Sequence, residues 1–384
     1  MLQRAHEIEE QLVAWRRDFH RHPELGFQET RTAARVAAVL EPLDYRVRTG
    51  VGRTGVMAER GQGHPVIAIR ADMDALPLQE TNDVPYASQV AGVMHACGHD
   101  AHVAIALGVA TLLAREDLTG TIRFLFQPAE EVGDDEGISG APRMVEDGAM
   151  EGVDNVLALH VDASAPVGDV TIGAGPVSAG VNTFRATITG KGGHGAMPHK
   201  VVDPIYIAGH VILALHGIVS RRLHPTEPAV VSIGSIHGGL AENVIPERVE
   251  LSGTIRYMEP EVRKKIVVEI ERALKIAQTL GGDYALQLEH GGAPMVNDAG
   301  LVSLIREVCA EVVGSEHVLP HKMEMGAEDF GAFSELAPGA MLMLGCRIEG
   351  DERRHHDPRF DIDERCLPLG VAILAETALR LLRR

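Results

Sequence analysis

Only four cysteines occur in 384 residues, at positions 97, 309, 346 and 366, and no spacing pairs them. A disulfide framework is excluded, and reduced thiols with a cytoplasmic location are expected. Positive charge is equally scarce: 36 Lys and Arg stand against 54 Asp and Glu, a net charge of −18. A surface of that sign repels a nucleic-acid backbone or an anionic membrane, so neither is expected as a partner. Long apolar runs are missing too. The longest, Val103 to Ala114, falls short of the ~20 residues that span a bilayer and reads as a buried helix. The charged stretch from Met1 to Glu10 has no apolar core, so no signal peptide is expected. There is no G-x-S-x-G elbow for serine-hydrolase chemistry, no internal repeat and no low-complexity tract.

What is present suggests two domains, since the length exceeds a comfortable single core. Leu12, Trp15 and Phe19 recur at helical spacing and predict an opening helix that Pro23 ends. A second helix is expected over Glu29–Leu40. Short apolar strands at Val66–Arg70, Thr121–Phe126, Asn155–Leu159 and Met341–Leu344 then alternate with helices. That alternation predicts an α/β domain with a mostly parallel sheet and helices on both faces. Polar clusters follow three of the strands, where such sheets bind ligands. Residues 181–291 read differently. Strands at Val181–Thr189, Ala229–His237, Arg248–Tyr257 and Asp283–His290, with helices at Asp203–Arg222 and Glu259–Leu280, give the β-α-β-β-α-β order of a ferredoxin-like sandwich. The expected division is 1–178 and 292–384 for the α/β domain, with 179–291 inserted.

Chemistry concentrates in a few places. In His95-Ala96-Cys97-Gly98-His99-Asp100, thiolate and imidazole suit zinc and its neighbours; a polar helix start with one buried thiol reads equally well. Glu130-Glu131 at a strand end repel each other unless a cation lies between them, although Asp134, Asp135 and Glu136 nearby also permit a solvated acidic turn. His160 ends a strand, and His356 lies in a charged loop. Taken together, Cys97, His99, Glu131, His160 and His356 form five candidate ligands, too many for one open tetrahedral site and suited to two ions sharing a bridging water. Glu130 is left over to take that water's proton and pass it to a leaving amine. Asp74 is placed to orient a ligand or the base. Asp72 is read as that kind of partner or as a simple loop cap.

In order and spacing these residues resemble the aminoacylase and carboxypeptidase family of co-catalytic metallopeptidases, nearest its hippurate hydrolase and N-acyl-amino-acid amidohydrolase branch. The matching stretches are Arg17-Asp18-Phe19-His20-Arg21-His22-Pro23-Glu24, Arg70-Ala71-Asp72-Met73-Asp74-Ala75-Leu76-Pro77, Met94-His95-Ala96-Cys97-Gly98-His99-Asp100 and Gln127-Pro128-Ala129-Glu130-Glu131. Gly192-Gly193-His194-Gly195, Asn243-Val244-Ile245-Pro246, Gly253-Thr254-Ile255-Arg256 and Gly326-Ala327-Glu328-Asp329-Phe330 complete the set. The resemblance implies metal binding by Cys97, His99, Glu131, His160 and His356, with Glu130 as general base. His356 is preferred over its neighbour His355 because the family ligand stands two residues before the proline, here Pro358. It implies two divalent ions per subunit (zinc, manganese, cobalt or nickel) and hydrolysis of the amide of N-acyl amino acids. The same mechanism acting on short peptides, as in a carboxypeptidase or dipeptidase, is the alternative. The 179–291 insertion becomes a lid and dimerisation domain of a homodimer or higher oligomer. Within it His194 corresponds to an oxyanion-stabilising histidine, and Asn243 and Arg256 to residues that hold the substrate carboxylate.

Two features depart from this picture. Gly190-Lys191-Gly192-Gly193-His194-Gly195 fits the dinucleotide fingerprint G-x-G-x-x-G, but no helix begins at it and no acidic residue follows at the required distance. The link Val132-Gly133-Asp134-Asp135-Glu136-Gly137 is longer and more acidic than in relatives and is expected to alter the pocket rim. His102, His199, His210, His216 and His237 are read as structural or surface residues, and His20 and His22 as packing near the first helix.

Overall fold

The computed structural model describes residues 1–321 and 323–384. It divides into two compact units, one of residues 1–175, 296–321 and 329–384, the other of 176–295 and 323–328. The second unit is thus slightly longer than the expected insertion and recruits a short later segment.

The first unit is built on an eight-stranded sheet. Its order is Arg46–Val51, Gly55–Gln62, Gly120–Gln127, Val66–Asp72, Asn155–Pro166, Gly339–Arg347, Val170–Ile172, Val318–Pro320. The four central strands run parallel. The Arg46–Gln62 hairpin, which the alternation of strands and helices does not announce, adds antiparallel at one side, and Val170–Ile172 pairs antiparallel with Gly339–Arg347. Every residue of Val66–Asp72 is buried, as a central parallel strand requires. The strand runs two residues beyond its expected end. Asp72 is therefore its last member and not a loop cap.

Against the sheet lies helix His99–Leu113, buried almost throughout. It shares one core with helices Glu9–Arg21, Ala299–Val313 and Cys366–Leu382. Gly108 makes the close approach possible: a Cβ there would come within 2.6 Å of both Leu12 Cδ2 and Val371 Cγ2. One charge is sealed into this core. Arg16 has no exposed surface. Its Nε donates to Asp100 Oδ2 at 2.9 Å, its Nη2 to Asp361 Oδ1 at 2.7 Å and its Nη1 to Glu364 Oε1 at 3.3 Å. Helix Glu9–Arg21 is thereby tied to the start of His99–Leu113 and to the segment leading into the last helix.

In the second unit four antiparallel strands lie in the order Ala229–Gly238, Arg248–Tyr257, Gly180–Thr189, Asp283–His290. This is the ferredoxin-like arrangement. Asp203 caps helix Pro204–Arg222 by accepting from the Ile205 and Tyr206 amides. Ile207, Val211, Leu215 and Ile218 of that helix join the unit's own core. The expected helix Glu259–Leu280 is divided at Lys275 into Pro260–Leu274 and Ile276–Thr279.

Replacing Arg16 by Met would leave Asp100 and Asp361 buried without their cation, a change that typically costs about 3–5 kcal/mol. A urea unfolding midpoint close to that of the unaltered protein would contradict this account of the core.

Candidate metal centre

Two of the central strands deliver functional residues at their carboxyl ends; the third runs on past His160, which was expected to end it, so that His160 lies within the strand. Val66–Asp72 ends in Asp72, with Asp74 just beyond. Gly120–Gln127 leads into Pro128-Ala129-Glu130-Glu131, and Asn155–Pro166 carries His160. Helix His99–Leu113 begins at His99, directly after Cys97-Gly98. Gly98 has φ +100°, and a Cβ there would sit 2.3 Å from Val161 Cγ2, so only glycine turns the chain this close to the His160 strand.

These elements bring together all five residues singled out as ligands. The donor atoms of Cys97, His99 and His160 lie within 4.8 Å of one another, as do those of Cys97, Glu131 and His356 and those of His99, Glu130 and Glu131. The first two sets share Cys97. Cys97 Sγ is 3.5 Å from His160 Nε2, and His356 Nε2 is 2.9 Å from Glu131 Oε1. The latter contact is an ion pair rather than an aligned hydrogen bond, since Glu131 Oε1 is buried without a hydrogen-bond partner, as is His99 Nε2. Buried polar atoms of this kind are costly unless something occupies the space they face.

The imidazoles are oriented from behind. His99 Nδ1 donates to Asp74 (Oδ1 at 3.1 Å, backbone oxygen at 2.9 Å), and His160 Nδ1 donates to the Val161 carbonyl at 2.8 Å. Both rings therefore turn Nε2 toward the cluster, the arrangement usual for metal-bound histidine. Asp74 also accepts the Glu131 amide at 3.0 Å through Oδ2. His355 is fully engaged elsewhere: Nδ1 donates to the Cys97 carbonyl at 3.1 Å, and Nε2 accepts the Ala163 amide at 3.2 Å. Of the two adjacent histidines, His356 is the one beside Glu131. This donor set, with its orphaned buried atoms, fits divalent cations.

In the second unit His194 pairs with Val244 in a two-residue ladder, and the Asn243 carbonyl accepts the Gly195 amide at 2.8 Å. His194 and Asn243 are thus neighbours. His194 Nδ1 accepts the Ala196 amide at 3.0 Å, which leaves the ring proton on Nε2. Arg256 lies on strand Arg248–Tyr257, half-buried, opposite Val230 and Val181.

A profile of Peptidase family M20/M25/M40 matches residues 68–380. The chain belongs to peptidase family M20/M25/M40. It is 38% identical to an N-acetyl-L-cysteine deacetylase of Bacillus subtilis, over 98% of this chain and 89% of the relative. It is also 38% identical to thermostable carboxypeptidase 2 of Saccharolobus solfataricus, over 97% and 96%. A solved Bacillus subtilis structure, described as a dinuclear metal binding peptidase of family M20, superposes with a TM-score of 0.86 at 35% identity, covering 98% of this chain and 99% of that one. This family member is accordingly a metal-dependent amidohydrolase.

Several participants escape sequence reasoning. His102, read as merely structural, sits inside the centre's support: Nδ1 donates to Asp72 Oδ1 at 2.5 Å and Nε2 accepts the Val161 amide at 2.9 Å. Asp72 also accepts from Arg70 Nη1 at 2.8 Å. Asp329 binds Gln127 Nε2, Ser139 Oγ and the Ala141 amide, at 2.8, 2.7 and 3.1 Å, which fixes the loop after Glu131. Two residues apart on one strand, Arg70 and Asp72 share a face; that spacing was the available signal. His20 is more than a packing residue, being hydrogen-bonded to Asp100 at 2.7 Å and Glu80 at 3.2 Å.

The centre's charge favours cations. Burial opposes ionisation of Glu131, yet His356 and His99 hold it below the ordinary carboxylate value. His99 is raised well above the usual imidazole value despite burial, chiefly by Asp72, and His356 is raised by its contact with Glu131. Burial pushes the Cys97 thiol well up, and Glu131 and Glu130 add to the rise. Protons thus occupy the centre when cations do not. An imidazole raised on folding stabilises fully below its unfolded value of about 6.5, and that contribution is lost as pH rises through the folded value. The metal-free protein should therefore lose stability as pH climbs past neutral. Binding a divalent cation at neutral pH should release protons from His99, His356 and Cys97. Calorimetric titrations in buffers of different ionisation enthalpy measure that release; a binding heat independent of buffer would refute it.

Proposed function

We propose that this amidohydrolase cleaves small N-acyl amino acids (N-acetyl, N-benzoyl or longer acyl), releasing a carboxylic acid and the free amino acid. The observation that carries the reading is the convergence of Cys97, His99, Glu131, His160 and His356 beside a further carboxylate, Glu130, on the same loop. Two divalent cations held by these residues would supply Lewis acidity, making water nucleophilic near neutral pH and neutralising charge on the scissile carbonyl. Thiolate and imidazole ligands favour zinc-like ions, with manganese, cobalt and nickel as rivals. Glu130 takes the attacking water's proton and delivers it to the amine nitrogen as the C–N bond breaks. Asp74 holds His99 and the Glu131 amide during this exchange. His194 offers its Nε2 proton to the developing oxyanion. Arg256 and Asn243 hold the free carboxylate of the substrate, the guanidinium presenting a fork to it. The free thiols of all four cysteines suit a cytoplasmic location.

A second reading, cleavage of short peptides by the same groups, is favoured by the similarity to the Saccharolobus solfataricus carboxypeptidase. Both reactions break an amide next to a free carboxylate. A panel of N-acetyl, N-benzoyl and long-chain acyl amino acids with several dipeptides, assayed with chelated and metal-supplemented enzyme, separates them. Metal-dependent release from the acylated set is expected, and cleavage of dipeptides alone would transfer the assignment to the second reading. Glu130→Gln should retain its metal and lose roughly 10²–10⁴-fold in kcat, the usual scale of general-base catalysis. Turnover at the original rate would remove Glu130 from that role.

The chain is further proposed to form a homodimer or higher homo-oligomer through its second unit. Strand Ala229–Gly238 is last in its sheet, with an edge open to pairing, and helix Pro204–Arg222 exposes Ile205, Tyr206 and Leu213. An edge strand can pair antiparallel with its own copy about a two-fold axis, which would bring the exposed residues of the adjoining helix of each copy into the same interface. Leu213→Glu is expected to shift sedimentation toward the monomer. An unchanged oligomer would place the interface elsewhere.

A further inference from the structure

Glu29 stands where a helix cap belongs and does not act as one. It directly precedes helix Thr30–Leu40, but its side chain makes no capping bond. Glu24 serves the helix start instead, accepting the Arg31 amide at 3.0 Å and the Thr32 amide at 2.8 Å. Glu29 turns inward and is fully buried. Its Oε1 accepts the Ala129 amide at 2.8 Å, and its Oε2 accepts the Thr54 hydroxyl.

Ala129 has φ +46°, a left-handed conformation that residues with a Cβ avoid. Both its backbone groups are anchored, because its carbonyl accepts the Gly140 amide at 2.9 Å. Two residues later the Glu131 amide is gripped by Asp74. Glu130 is therefore held between two amides, each fastened to a carboxylate that belongs to another segment. Burial pushes the Glu29 carboxyl up to about 7, and the negative charge of Asp74 adds to the rise. A fold that needed only an apolar filler or a helix cap here would avoid such a cost.

We propose that Glu29 is a positioning residue of the active site: by holding the Ala129 amide in its left-handed kink, it sets the directions of Glu130 and Glu131. The proposal rests on Glu130 as base and Glu131 as ligand. It requires an acceptor at the end of a side chain of glutamate length, and the negative charge is incidental. Gln reaches as far and accepts with its amide oxygen; Asp keeps the charge and falls short.

The test uses the full chain loaded with manganese to measured stoichiometry, with turnover of an N-acyl amino acid and metal loss to a chelator as its two readouts. Misplacement of catalytic groups by about 1 Å costs on the order of 10²-fold, so Glu29→Ala should lower kcat by about that factor at similar KM, whereas Glu29→Gln should stay within about fivefold of the unaltered enzyme. The Ala variant should also lose metal faster, because Glu131 is no longer aimed. Full kcat and unaltered metal retention in folded, loaded Glu29→Ala would overturn the proposal. If the Ala variant does not fold, Glu29→Asp against Glu29→Gln decides, with Asp expected to be the more defective; the reverse order would show that charge and not reach matters, and would overturn it equally. Glu130→Gln, run alongside, separates the two readings. If it keeps full turnover the base assignment fails, and metal retention at Glu131 alone then judges Glu29.

Discussion

Carboxylates, a thiol and several imidazoles gathered at the buried ends of parallel strands repel and desolvate one another unless positive charge lies among them, and most of the first unit can be understood as the supply of that charge. Two arginines do part of it permanently. Arg70 neutralises Asp72, which in turn orients His102. Arg16 is shared among Asp100, Asp361 and Glu364, with Arg17 also on Glu364 and His20 also on Asp100. The Arg70 and Arg16 guanidiniums are fully buried and fixed by short bonds, so neither can move to the cluster itself. Around Cys97 and Glu131 the balance falls to imidazoles: His99 is raised well above the ordinary value, chiefly by Asp72, and His356 by its contact with Glu131. The same carboxylates that raise these imidazoles would also favour a divalent cation held by them.

Direction matters as much as charge. Nε2 of His99 and of His160 faces the cluster because Nδ1 of each is already committed, to Asp74 and to the Val161 carbonyl respectively. His102 and His355 lie close by and would be equally good ligands chemically. They are withheld because both nitrogens of each ring are engaged. Choice among neighbouring histidines is thus made by their hydrogen-bond partners, not by their distance from the centre.

This explains how much could be read from the chain itself. Residue type and position after an apolar strand exposed Glu130 and Glu131, and the Cys97-Gly98-His99 spacing exposed two more, because those signals are local. His160 was found beside an apolar run whose strand in fact continues through it to Pro166, and His356 was singled out only by the family resemblance. The alternation of strands and helices likewise revealed the α/β sheet and the β-α-β-β-α-β insertion. The roles of His102, Asp72 and Asp329 depend on which strand lies beside which, a long-range fact that no window of sequence contains. The Arg46–Gln62 hairpin escaped for a related reason: partly exposed and carrying four arginines and a glutamate, it lacks the apolar run that marked the central strands. Glu29 was hidden because it was counted as the first residue of the helix expected over Glu29–Leu40; its bond to the Ala129 amide, a hundred residues away, is not visible in any local pattern.

The acidic link after Glu131 raises the sharpest question about this charge arrangement, for further carboxylates so near the cluster could draw cations away from it. The fold counters this by pairing Asp134 and Glu136 locally. Asp134 Oδ1 accepts the Glu136 and Ile138 amides at 2.9 and 3.2 Å, which closes the segment into a tight turn. Its other oxygen is shared between Arg53 and Arg143, and Arg143 also binds Glu136 and Glu146. Arg53 is in turn seated over the Phe27 ring, 4.9 Å from its centroid. Two of the link's three carboxylates, Asp134 and Glu136, are thereby paired with Arg53 and Arg143 from flanking segments. With Asp134 closing the turn and Arg53 and Arg143 on Asp134 and Glu136, the more acidic sequence becomes a bracing turn beside the loop that carries Glu130 and Glu131.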